Sequence, residues 1–227
     1  MCFTPIVSLT TAILEFIVAT FILIYFKRTT FVKFSIIFIY VLGFYQFTEF
    51  MFCTSGNEFL WAKIGFITYT FLPALALHFA LTFNKKKYNL TYIYFLPILI
   101  SIFAFLNQNF ILNASCDSVF VIVQTMFYSF KNFHSIILFI LYVSYYFGFI
   151  FYVSYILIKK QYKTKNKKLK ILSWIGFSSA IITLALPLIL IIILPSFRIQ
   201  FPSVYCEFAV LFTIFAVVGC YVDNKVR

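Results

Sequence analysis

Charged residues make up only 11% of this 227-residue chain, and its mean hydropathy is +1.02, whereas a soluble domain carries about 25% charged residues. Such an apolar surplus excludes a soluble globular core, so the bilayer has to solvate much of the surface. The net charge of +12 does not mark a nucleic-acid partner. The basic residues fall in short clusters between long apolar runs, a pattern of membrane topology and of contact with anionic lipid.

A spanning helix needs about 20 mostly apolar residues. Windows of that size predict seven of them: Ile6–Phe26, Val32–Cys53, Phe59–Phe83, Leu90–Asn107, Phe133–Ile158, Ile171–Leu194 and Pro202–Val222. The expected fold is an all-α membrane protein, a seven-transmembrane-helix bundle forming one domain over residues 1–227. The fourth run is the shortest. Nothing basic precedes the first run and no small-residue cleavage site follows it, so it reads as a span and not as a cleaved signal peptide. Pro73, Pro97 and Pro187 fall inside predicted helices and should bend them. The linkers are brief except Gln108–Asn132, which is long enough to form a structured cap.

Lysine and arginine set the expected orientation. The loops after the first, third and fifth runs, together with the C-terminal residues, hold 15 of the 18 basic residues, including Lys85–Lys87 and the stretch "KKQYKTKNKKLK". The other side holds Lys63, Lys131 and Arg198. The positive-inside rule then puts the N-terminus outside and the C-terminus in the cytoplasm of a multi-pass cell-membrane protein.

Three acids lie within the runs. Glu49, in "YQFTEFMFC", falls about 6 Å from the outer end of the second run at helical rise, Glu207 sits at similar depth in the last, and Glu15 lies near the middle of the first. An ionised acid facing lipid is costly, so such residues usually face the bundle interior and pair or protonate. Gln46, Glu49 and Cys53 share one helical face, as do Ser8, Thr11 and Glu15. The first, second and last helices of a closed bundle are usually neighbours, so the acids could line one cleft open to the outside. Lys63 and Arg198 could join them from that side. Two readings stay open: a ligand site built from Glu15, Gln46, Glu49, Lys63, Arg198 and Glu207, or structural ion pairs Glu49–Lys63 and Glu207–Arg198.

Cys2, Cys53, Cys116 and Cys206 all map to the outer end, and Cys220 to the inner end. Four cysteines on an oxidising side suggest two disulfides with three connectivities, of which helix adjacency favours Cys2–Cys206 with Cys53–Cys116. No C-x-x-C occurs, which argues against a thiol oxidoreductase. His78 reads as a hydrogen-bonded packing residue, and no second ligand near it suggests a metal. Asn113-Ala114-Ser115 is a glycosylation sequon on the outer side.

The stretch "LWAKIGFITYTFLPALALHFALTFNKKK" resembles the seven-helix N-terminal sensor region of bacterial and archaeal histidine kinases. The features that carry the likeness are Trp61, Ala62, Lys63, the mid-helix Pro73 and the basic Lys85–Lys87; elsewhere the likeness is one of topology. The resemblance implies a sensor. No phosphoacceptor histidine helix or ATP-binding region follows in this sequence, so the output would pass through a separate cytoplasmic signalling protein. Retinal binding is not expected, because the last run has no lysine for a Schiff base. The motifs of G-protein-coupled receptors are missing too. The expectation is a non-enzymatic sensor without cofactor or metal, partnered by the bilayer and a cytoplasmic protein, with a homodimer left open. A small transporter or proton-coupled carrier using the glutamates is the alternative.

Overall fold

A computed structural model describes the backbone of residues 5–116, 121–128, 133–187, 189 and 204–225, and the side chains of all of these but 128, 133 and 204–207. Helices α1 (Pro5–Tyr25) and α2 (Thr30–Thr54) form an antiparallel pair, followed by α3 (Glu58–Thr70), α4 (Leu72–Phe83) and α5 (Leu90–Leu106). A hairpin of β1 (Ile111–Cys116) and β2 (Val121–Thr125) comes next. Then come α6 (Phe133–Lys163), α7 (Lys167–Ala180) with a π turn at Ile181–Ala185, and α8 (Val204–Lys225). Among the described residues, six helical spans, counting α3 with α4 as one, are long and apolar enough to cross a membrane; α5, at 17 residues, is shorter. The protein is therefore a largely helical, multi-span chain. The antiparallel hairpin is a departure from an all-α fold, and it fills part of the linker in which a cap was expected.

Polar residues begin several helices where the apolar runs resume. Thr29, Asn89 and Asn166 cap α2, α5 and α7, their side chains accepting from the backbone N–H groups of Val32, Thr91 and Leu169, which otherwise have no helical partner. These three caps share one end of the bundle with most of the lysines. The opposite end carries the hairpin. Helix α6 runs on past the apolar limit of the fifth run, through Lys159, Lys160 and Lys163, because lysine is a good helix former; the Lys159 and Lys160 ammonium groups turn to the Tyr155 hydroxyl and the Phe83 carbonyl.

The three prolines act differently. Pro73 cannot donate to Tyr69 O, so the third span breaks into α3 and α4. The Phe71 N–H turns back to Thr68 O at 3.3 Å, and the Tyr145 hydroxyl of α6 donates to Thr70 O at 2.8 Å. Pro187 removes the bond to Thr183, and the residues just before it adopt the π turn. Pro97 stays within a continuous α5, buried, with Ser101 donating to its carbonyl at 2.6 Å.

An aromatic cluster seats the hairpin. Phe66 of α3 lies 4.7 Å from Phe110 and 5.7 Å from Phe127 between ring centroids, and Phe127 lies 5.5 Å from Tyr142 of α6. At the lysine-rich end, Asp223 of α8 is the tie. It pairs with Lys168 at 3.0 Å and accepts from the Thr29 hydroxyl, while Asn224 accepts from the Lys27 N–H at 3.0 Å.

Close approach at Gly219 lets α8 pass Phe31. A Cβ there would meet the Phe31 ring at 2.4 Å, and that ring is buried against Phe79 and Phe83. Gly219→Ala should cost about 1–3 kcal/mol of stability by overpacking. Gly148→Ala, with nothing within 4 Å of the added carbon, should gain about 0.5–1 kcal/mol from helix propensity. Thermal unfolding of the two variants in detergent checks the opposite signs.

Candidate functional site

The seam between α1, α2 and α8 holds the polar interior. The buried face of α1 reads Ser8, Ala12, Glu15, Ala19 and Ile22, a helical repeat of small or polar side chains. Its exposed face carries Ile13, Leu14, Ile17, Phe21 and Ile24. Small residues on the inner side let α2 approach closely. At Gly43 of α2 an added Cβ would lie 3.3 Å from Glu15 Cβ and 3.0 Å from the Phe16 ring.

That contact fixes the register of the seam. Gly43, Gln46 and Glu49 follow one another along one face of α2, opposite Glu15, Ala12 and Ser8 of α1. The Ser8 hydroxyl donates to Glu49 Oε2 at 3.4 Å, a long bond at the edge of the useful range. Exposure is 1% for Glu15, 0% for Gln46 and 5% for Glu49. Neither carboxyl oxygen of Glu15 has a hydrogen-bond partner at ordinary distance among the described residues. The Thr213 hydroxyl of α8, which donates to Ala209 O at 3.1 Å, approaches the Glu15 carboxyl as a weak side-chain hydrogen-bonding contact.

The structure thus places Glu15, Gln46 and Glu49 along one seam, Glu15 level with Gly43 and Glu49 level with Ser8, roughly 10 Å apart along the helices. Lys63, expected beside Glu49, points elsewhere: its ammonium donates to Asn107 O at 2.6 Å and to Phe105 O at 3.3 Å. It satisfies carbonyls left open at the end of α5, because its position on α3 faces α5 while Glu49 faces α1. Glu207 lies in the first turn of α8, but its side chain, and all of Arg198, fall outside the described residues.

Cys53 and Cys116 form a disulfide, with Cα atoms 5.4 Å apart. It fastens β1 to the end of α2, one turn beyond Glu49. Cys2 and the Cys206 side chain lie outside the described residues, and Cys220 is a buried free thiol. Among the described residues no three His, Cys, Asp or Glu side chains converge as a metal site requires. His78 is hydrogen-bonded on both ring nitrogens, to the hydroxyls of Tyr94 and Tyr88, each at 3.0 Å.

Gly43 and Thr213 belong to the site but carry no sequence signal of function by themselves. Gly43 could be found only as the next step, three residues back, on the Gln46–Glu49 face. Comparison with known protein families, with curated proteins and with solved structures finds no match to this chain.

The disulfide spans 63 positions, and a crosslink over so long a loop restricts the open ensemble strongly. Removing both sulfurs with Cys53→Ser and Cys116→Ser should raise amide exchange in residues 111–116 and 121–125 about tenfold or more, leaving α1 and α2 protected. Exchange unchanged in the hairpin would mean that the aromatic cluster alone holds it.

Proposed function

We propose that this chain is a non-enzymatic, receptor-like membrane module that binds a small ligand bearing a cationic or hydrogen-bond-donating group at Glu15, Gln46 and Glu49. The observation carrying this reading is the Glu15 carboxyl, buried with no hydrogen bond of ordinary length among the described residues and only a weak contact from Thr213. Leaving such a group unsatisfied in apolar surroundings costs about 1–3 kcal/mol, a cost that a ligand would offset. The long Ser8–Glu49 bond is a contact that a ligand can displace from the hairpin end.

The orientation proposed has the N-terminus and the hairpin outside and the C-terminus in the cytoplasm. Two independent features support it. The lysines gather at the end opposite the hairpin, and the Cys53–Cys116 disulfide sits at the hairpin end, where oxidising conditions would keep it. The route for a signal is α8. It runs unbroken from Thr213 beside the seam to Asp223 at the lysine-rich end, ten residues or roughly 15 Å along the axis. A ligand that binds one seam geometry better than another shifts the population of that helix, and a separate cytoplasmic protein would read the change.

Glu15→Leu separates this reading from a structural role. It should raise the thermal midpoint of the purified protein, because an unsatisfied carboxyl is replaced by a packed apolar group. It should also abolish the stabilisation given by whichever of a panel of primary amines, guanidines and quaternary ammonium ions binds the wild type, with Glu49→Gln weakening it about tenfold. A lower midpoint, with no probe telling wild type from variant, would assign Glu15 to structure alone. Reporter fusions at the two ends should fall on opposite sides of the membrane; both on one side would overturn the orientation.

The second reading is a proton-coupled carrier. It draws on the position of Glu15, the eleventh of 21 residues in α1, near mid-depth. Solute uptake into proteoliposomes that disappears with Glu49→Gln would favour it over sensing.

A further inference from the structure

The lysines at the start of α7 are not equivalent. Lys168 turns inward and pairs with Asp223 at 3.0 Å. Lys167, Lys170, Ile171 and Trp174 follow at i, i+3, i+4 and i+7, and so share the opposite, outward face. With Gln161 from the end of α6 they line an open groove of about 470 Å³, within the usual size of a small-molecule site. We propose that this groove binds the headgroup of an anionic phospholipid, its phosphate held by Lys167 and Lys170 and its glycerol region resting on Trp174.

Charge supports an anion. Asp223 is the single acid at this end among the described residues, and Lys168 and Thr29 already engage it. Lys167 and Lys170 are exposed and have no acidic side chain to pair with there. The floor of the groove supports a lipid over a soluble anion or an acidic protein. Trp174 is 52% exposed and lies four residues, about 6 Å, below Lys170 along the helix. Indole rings at that level mark the headgroup layer of a bilayer. Phe177 continues the apolar wall, its ring 5.5 Å from that of Trp174. The inference rests on the apolar helices crossing a bilayer. It does not depend on the seam at the other end, so either can fail without the other.

Trp61 and Trp174 are the two tryptophans of the chain, so Trp61→Phe leaves Trp174 as its one tryptophan, excited selectively over the tyrosines at the red edge. In vesicles of phosphatidylcholine, a few per cent of chain-brominated phosphatidylglycerol should quench Trp174 more than the same amount of brominated phosphatidylcholine. Lys167→Gln with Lys170→Gln removes both charge-assisted contacts to the phosphate and should lower the selectivity at Trp174 about tenfold or more. Lys163→Gln with Lys165→Gln, equally basic but outside the groove, should preserve it. Equal quenching by the two lipids overturns the proposal. So does selectivity that survives loss of Lys167 and Lys170, or that falls equally in the control pair. Displacement of phosphatidylglycerol by excess inorganic phosphate would show a free-anion site in place of a lipid site.

Discussion

Helix α1 is inverted relative to a helix of a soluble protein, and the rest of the structure depends on that inversion. Its inner side presents Ser8, Ala12, Glu15 and Ala19, and its outer side presents large aliphatic and aromatic groups. In water such a helix would bury its polar groups and expose its apolar ones, at a loss on both faces. In lipid the outer face is neutral, and cohesion has to come from elsewhere. It comes from close backbone approach at Ala12, Ala19 and Gly43, from interlocking rings such as Phe66, Phe110 and Phe127, and from a few polar ties.

Those ties sit where the backbone would otherwise be left unsatisfied. Tyr145 reaches the Thr70 carbonyl beside the Pro73 break. Lys63 reaches the last carbonyls of α5, and Lys160 reaches the carbonyl of Phe83 at the end of α4. An unsatisfied backbone group in a dry interior is expensive. Side chains that would be mobile on a soluble surface are therefore fixed by main-chain need. Glu15 stands apart because among the described residues its carboxyl has only the weak contact from Thr213.

Much of the architecture was legible because runs of about 20 apolar residues have few alternatives to helix. The helix starts agree with the sequence windows to within a few residues, and α6 overshoots only because lysine, a good helix former, extends an apolar run. The break at Pro73 follows from its missing N–H. That Pro97 leaves α5 continuous depends on local packing, which no window measures. The Gln46–Glu49 face could be read from spacing within one helix. Its partners Gly43 and Thr213 could not, since the register between helices puts them there. Lys63 misled for the same reason: its depth matched Glu49, but its direction around α3 did not. The hairpin has weak signals, a short Ile-Leu and Val-Ile-Val pair split by polar residues, inside what reads as a linker.

The crosslink between Cys53 and Cys116 also bears on how the molecule is assembled. It encloses α3, α4 and α5 and ties β1, the strand that follows them, to the end of α2. Closure of this bond therefore requires that the chain, after three helices, has come back to the end of α2. During biosynthesis, the fraction of chains with the bond closed would count those in which this return has been made, whatever the state of the helices that follow.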